Sequence, residues 1–290
     1  MRFLKAQANG NDYLVAMTGA SGMSAAGLGA RAARMCDRHF GVGSDGIVFL
    51  SRGEGSSPSG WEARIFNPDG GEAEVSGNGL RCAAAGIGFL EPHRSEEIRI
   101  RTSSGEKTFR RLERRGNRFR FEADMGCPAF EPDRIPMRTA ERLEKALGYP
   151  LAVEGRIFPV TALSIGNPHC VIFGRVAEEA DWPRWSSLIS GHEAFPNRTN
   201  VEWVEILGPD RIRVSFWERG VGPTLSSGSG SCAAAIAGIL AGMTTERVTV
   251  SSEGGDLAVE WRDRKKIFLT GEAELVFEGR CLGAEGDDDR

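Results

Sequence analysis

No run of the sequence approaches the roughly 18 apolar residues that a membrane helix needs, and no C-x-x-C pair occurs. Basic residues are not in excess either: 36 Lys and Arg stand against 40 Asp and Glu, for a formal charge of −4. A chain of this charge has no net positive field to hold nucleic acid or an anionic membrane, so a small polar partner is the better expectation. The six cysteines (Cys36, Cys82, Cys127, Cys170, Cys232 and Cys281) lie too far apart for a secreted disulfide framework or a zinc site. They read as reduced thiols, most of them buried. The start, Met1-Arg2-Phe3-Leu4-Lys5, mixes charge into its apolar residues at once and lacks the core of a signal peptide, so a cytoplasmic location is expected.

What is present is enough apolar sequence, 40% of 290 residues, for one large or two ordinary domains. The 38 glycines are clustered rather than periodic, which points to tight turns and backbone-lined sites. Short strand-like runs dominate: Gly46–Leu50, Trp61–Phe66, Ile98–Thr102, Lys107–Leu112, Phe119–Ala123, Arg156–Ser164, Cys170–Phe173, Val201–Ile206, Arg211–Phe216, Val248–Ser251, Leu257–Trp261, Ile267–Thr270 and Ala273–Phe277. Helical patterns fall at about Met23–Arg38, Leu80–Leu90, Thr139–Leu147, Trp182–Ser190 and Cys232–Leu240. This is a strand-rich α+β pattern without the strand–helix alternation of a doubly wound sheet. Arg52–Gly60 reads as a flexible loop and 287–290 as a frayed acidic tail. The Arg-rich stretch from Arg94 to Arg120 is interleaved with glutamates and reads as a solvated sheet face.

The strongest organisational signal is an internal echo. Ser76-Gly77-Asn78-Gly79 running into Cys82-Ala83-Ala84-Ala85 returns about half a chain later as Ser227-Gly228-Ser229-Gly230 running into Cys232-Ala233-Ala234-Ala235. Each copy places a hydroxyl and free backbone N–H groups at a helix N-terminus, an arrangement suited to a carboxylate or to developing negative charge. Around them lie dense polar segments: Asn9–Asp12, Phe66–Glu72, Gly166–His169, Asn197–Asn200 and Glu218–Gly222. Singly these are turns; together they supply the amides, carboxylate and guanidinium that a zwitterionic amino acid requires. Gly41–Gly46 fits G-x-G-x-x-G but leads into a strand, so no dinucleotide site is expected, and no cofactor or metal is called for.

At these residues the chain resembles the diaminopimelate epimerase family, cofactor-independent amino-acid epimerases, over almost its whole length. The matching motifs are Gly-Asn-Asp at 10–12, Cys36-Asp37-Arg38 leading into Gly41–Gly46, FNPDGGEAE from Phe66, SGNGLRC from Ser76, GNPH from Gly166, Asn197–Glu202, ERGVG from Glu218 and SGSGSC from Ser227. The resemblance implies two pseudo-symmetric domains, each a curled β-sheet around a central helix, with the active site between them and a homodimer as the assembly. Residues 1–125 plus 273–290 would form one domain and 126–272 the other. It implies epimerisation of LL- and meso-diaminopimelate in lysine and cell-wall precursor supply. Asn11, Asn67, Asn167, Asn200, Glu218 and Arg219 match substrate-holding residues, Gly77-Asn78 and Gly228-Ser229 the helix ends that grip the carboxylate, and His169 and Glu218 positions that support catalysis. Taken without the family, His169 reads as a partly buried turn histidine bonded to backbone.

The family's two acid–base residues are cysteines, and at their positions this chain has Ser76 and Ser227. A thiol near pKa ~8.5 is brought into the working range by a helix end, whereas a hydroxyl titrates far higher. Three readings follow: working serines, activated by His169 or Glu218 or simply slow; designed Cys-to-Ser changes; or a divergent relative that only binds an amino acid, or that epimerises or dehydrates a different one. Ser226, Ser229 and Ser231 also depart from the family's second motif, which favours serines native to the chain. Cys82 and Cys232 sit more than a turn inside their helices and read as packing residues rather than substitute bases.

Overall fold

Antiparallel hairpins account for most of the chain, because Gly, Asn and Asp punctuate runs in which apolar residues alternate with polar ones. The computed structural model describes residues 1–18, 24–53, 60–73, 76–92, 96–139, 141–175 and 181–282. The expected acidic tail, most of the 52–60 loop and Met23 lie outside them. The described chain divides into two units, Met1–Ala123 with Gly271–Arg290, and Asp124–Thr270.

The first unit contains β1 (Arg2–Ala8), β2 (Asn11–Met17), α1 (Ala25–Cys36), β3 (Gly46–Arg52), β4 (Trp61–Phe66), β5 (Glu72–Ala73), α2 (Gly77–Leu90), β6 (Glu97–Thr102), β7 (Gly105–Arg115) and β8 (Arg118–Gly126, its last residues in the second unit). The second contains β9 (Ala146–Val153), β10 (Arg156–Ser164), β11 (Pro168–Phe173), α3 (Trp182–Ser190), β12 (Asn200–Gly208), β13 (Arg211–Glu218), β14 (Gly222–Thr224), α4 (Gly228–Leu240), β15 (Arg247–Ser252) and β16 (Gly255–Arg262). The last strand, β17 (Lys266–Arg280), gives its first residues to the second unit, against β16, and the remainder to the first, against β1. The two expected strands Ile267–Thr270 and Ala273–Phe277 are therefore one.

Leaving β9 aside, the units repeat one topology. An antiparallel hairpin (β1–β2, β10–β11) is followed by a crossover helix to a parallel partner (β2–β3, β11–β12). An antiparallel partner follows (β3–β4, β12–β13), then a short strand, the long helix, and a strand parallel to the fourth (β4–β6, β13–β15). In the first unit the sheet closes, in the order β1, β2, β3, β4, β6, β7, β8, β17 and back to β1. Leu275 N–H donates to Asn117 O at 3.0 Å where β8 meets β17.

Each long helix is the centre of its unit. In α2 every residue from Asn78 to Gly88 is buried, and in α4 nearly every residue from Gly228 to Ile239. A helix apolar all round belongs inside a sheet, and small residues let strands approach on every side. Around α4, for example, Leu163, Val171, Val214, Val250 and Val259 form one core.

The expected helix at Thr139–Leu147 is not formed. Of residues 141–147 only Ala146 is buried and Leu147 is 45% exposed, so a helix would have had no face to bury. Ala146, Leu151 and Val153 instead pack into the second unit's other core as β9 pairs with β10. Tertiary pairing has overridden helix propensity here.

Candidate active site

In the first unit Ser76 caps α2 from an extended backbone (φ −139°), its Oγ accepting the Gly79 N–H at 3.1 Å. The same Oγ shares a 2.8 Å hydrogen bond with the hydroxyl of Tyr13, in which either oxygen can donate. The N–H groups of Gly77 and Asn78 have no acceptor among the described residues and remain for a ligand. Asn78 is buried: Arg81 donates to its Oδ1 at 2.6 Å, and its Nδ2 lies 3.5 Å from Asn11 Oδ1. Asn11 is fixed in turn, donating from Nδ2 to Asp45 Oδ2 at 2.8 Å.

Behind Asn11 stands an ion cluster. Asp12 pairs with Lys5 and, at 2.7 Å, with Arg38, which also holds Asp45 at 2.7 Å. Burial works against ionisation of Asp12, but hydrogen bonds from Arg38 and Lys5 outweigh it and lower the carboxyl from 3.8 to about 2. Asn67 is placed differently from the other candidates of this unit. It lies in the exposed turn after β4, where its backbone bonds Gly71 and Gly70 and its side chain takes no partner among the described residues.

In the second unit Ser227 caps α4 from the same conformation (φ −138°), accepting the Gly230 N–H at 3.3 Å and lying 3.5 Å from Glu218 Oε2. Gly228 and Ser229 N–H groups are again without an acceptor among the described residues. Asn167 donates from Nδ2 to Ser229 Oγ at 3.4 Å, the counterpart of the Asn11–Asn78 contact. Burial pushes the Glu218 carboxyl up, against the pull of His169 and Ser227, so it is poised to hold a proton nearer neutrality than a surface glutamate.

His169 is fully buried on β11 rather than set in a turn, and its partners are side chains. Nδ1 meets Glu202 Oε1 at 2.7 Å and Nε2 meets Asn167 Oδ1 at 2.9 Å. Burial raises the Glu202 carboxyl as well, opposed by His169. The contact of Nε2 with Asn167 Oδ1 leaves the amide Nδ2 directed towards the helix end, where it meets Ser229. Asn200 is spent inside the unit: its Nδ2 donates to Pro168 O at 2.8 Å and its Oδ1 accepts the Arg219 N–H at 2.9 Å. It therefore places Arg219, whose guanidinium donates to Asn197 O at 3.1 Å and is otherwise open to solvent.

Thus Asn11, Ser76, Gly77 and Asn78 come together in one unit, and Asn167, His169, Ser227, Gly228, Ser229 and Glu218 in the other. Sequence reasoning missed Tyr13, Asp45, Arg81 and Glu202 as partners of these groups. Gly-Asn-x-ring, present at Gly10–Tyr13 and at Gly166–His169, is the repeated signal that marks two of the places. The thiols inside the helices are set apart from this chemistry. Cys82 is wholly buried, which pushes it up to about 12, and Cys232 is buried too. Among the described residues no three His, Cys, Asp or Glu side chains gather as a metal ion would need, and no helix is long and apolar enough to cross a membrane.

Relatives share both the fold and the sequence. Solved structures of similar fold include a predicted epimerase from Pseudomonas aeruginosa (TM-score 0.68, 17% identity, 98% of this chain and 99% of that one). A hydroxyproline epimerase from Agrobacterium vitis, solved with bound trans-4-hydroxy-L-proline, is also similar (TM-score 0.66, 15% identity, 96% and 90%). The diaminopimelate epimerase of Pelotomaculum thermopropionicum is 40% identical over 279 residues, covering 96% of this chain and 98% of its own. That of Desulforudis audaxviator is 40% identical over 285 residues, covering 98% and 100%. Residues 3–130 and 161–276 match the diaminopimelate epimerase family, to which this chain belongs.

Proposed function

We propose that the chain epimerises 2,6-diaminopimelate, interconverting its LL and meso forms by removing the α-proton and returning one from the opposite side. The observation that supports this reading most is the doubled helix end: two serine-capped N-termini, each with unpartnered N–H groups and an oriented asparagine, on one repeated topology. Inversion at carbon needs two proton-transfer groups, and the α-carboxylate and carbanion charge need N–H donors. Ser76 and Ser227 take the two acid–base roles. Glu218 accepts the proton of Ser227, with His169 supporting it, and Gly77, Asn78, Gly228 and Ser229 bind carboxylate through their backbone. Asn11, Asn67, Asn167 and Arg219 complete the hold on the amino acid, with Asn200 setting Arg219. The enzyme works in the cytoplasm as a homodimer and supplies lysine and cell-wall precursors.

The decisive assay is incubation of the purified chain with LL-diaminopimelate in deuterated water, following α-proton loss and appearance of the meso form. Calorimetry should show diaminopimelate binding better than proline, alanine or glutamate. Replacing both serines, Ser76→Cys and Ser227→Cys, should raise the rate by about 10²–10⁴-fold, since a thiolate becomes available near neutral pH. Either replacement alone should help little, because inversion needs a competent group for each transfer.

A second reading is favoured by the serines themselves: a relative that binds an amino acid without turning it over, or that epimerises or dehydrates a different one. Diaminopimelate bound by the double-cysteine chain without α-proton exchange would select it.

A further inference from the structure

Tyr13 and His169 hold the same place in the two units. Each stands two residues after the asparagine that follows a left-handed glycine (Gly10 φ 78°, Gly166 φ 91°). Each also pairs, across a parallel ladder, with the first residue of the next strand: Tyr13 with Gly46 and His169 with Asn200. Each side chain ends in a group that can both donate and accept a hydrogen bond. The Tyr13 ring is held on two sides by glycine, since a Cβ on Gly46 would stand 2.7 Å and one on Gly79 3.0 Å from its Cε1. Only 7% of Tyr13 is exposed, and its hydroxyl ends 2.8 Å from Ser76 Oγ. The first unit has no carboxylate at the position of Glu218. Asn67 follows Phe66, which pairs with Ile47, as Glu218 follows Trp217, which pairs with Val201.

We propose that Tyr13 is the proton-relay partner of Ser76, a positioning residue that acts through the serine oxygen; the proposal rests on the epimerase reading above. When Ser76 protonates the α-carbanion, the carbanion's electron pair forms the C–H bond, the Oγ–H bond breaks, and Oγ takes the Tyr13 phenol proton. The phenolate is then reprotonated by water. In the opposite direction the phenolate takes the Ser76 proton as Oγ takes the α-proton, whose bonding pair stays on carbon. A free phenol titrates near 10, well below an aliphatic alcohol, so the relay leaves the charge on the better anion.

The test is Tyr13→Phe, which removes the hydroxyl and keeps the ring, made both in the parent chain and in the Ser76→Cys/Ser227→Cys chain. Deuterium incorporation into LL-diaminopimelate and calorimetric binding are the readouts. The parent should lose about 10²-fold in kcat with KM nearly unchanged. In the double-cysteine chain, whose thiol supplies its own acidity, the cost should shrink to under ~3-fold, a coupling that a packing role would not produce. A more acidic fluorinated tyrosine at 13 should move the parent's pH profile to lower pH. Equal losses in both chains, or none in the parent, overturn the relay alone; absence of exchange in both, with or without binding, overturns the epimerase reading and the relay with it.

Discussion

The imidazole of His169 and the carboxylate of Glu202 meet at 2.7 Å with 0% and 1% of their side chains exposed. A pair so buried stabilises little by itself, yet removing one partner strands the other in a medium that cannot solvate it. Glu202→Ala should cost about 3–5 kcal/mol in urea unfolding, and Glu202→Gln distinctly less. An Ala variant within about 1 kcal/mol of the parent would mean that the pair does not hold this region together.

Stability should respond to pH with two opposite slopes. Glu202 and Glu218 are raised in the folded state, so the unfolded chain releases their protons first as pH climbs past 4.5, and stability falls through the folded pKa values. Glu218→Gln should flatten that decline in a series of thermal melts between pH 5 and 8. Asp12 works the other way. Lowered from 3.8 to about 2, it contributes stability above pH 4 that is lost as pH falls towards 2, and Asp12→Asn should remove that part of the acid limb.

Alkylation separates this chain from a thiol enzyme. Cys127 is exposed and Cys281 partly so, whereas Cys36, Cys82, Cys170 and Cys232 are buried. Iodoacetamide should label the first two under native conditions and leave α-proton exchange unchanged; mass spectrometry identifies the sites. Activity lost in step with labelling of Cys82 or Cys232 would move the chemistry to a thiol.

The closing strand offers a folding test. Glu274 to Arg280 pair with Gln7 to Arg2, so the first unit's ring depends on a segment that follows the whole second unit along the chain. Deleting the chain from Ala273 onward should therefore expose residues 1–125 to limited proteolysis, and adding the 271–282 segment as a peptide should restore protection. Persistent resistance without it would contradict the closure.

The helix ends were legible because serine capping, glycine and an alanine run are local chemistry, and the strands were legible where apolar residues alternate. β1 escaped notice because Lys5 and Gln7 interrupt a short run at the terminus, and β9 because the Leu143-Glu144-Lys145 stretch leading into it favours helix, whereas Ala146 onward pairs with β10. The partners of the site were harder to read. Tyr13 lies 63 positions from Ser76 and Glu202 lies 33 from His169. Within strand Val201–Ile206 a glutamate looks like an outward-facing residue; only the fold shows that it faces an imidazole in the interior.

The repeated topology has an evolutionary consequence. Each unit carries its own core, its own capped helix and its own asparagine, but one pairs them with Tyr13 and Asn67 and the other with His169 and Glu218. Substitutions at either pair act on the helix end and core of one unit and leave the other unit's as they are, so on the proposed reaction selection can retune one proton transfer without the other. On the proposed reaction, the repeat makes the two proton transfers separately heritable.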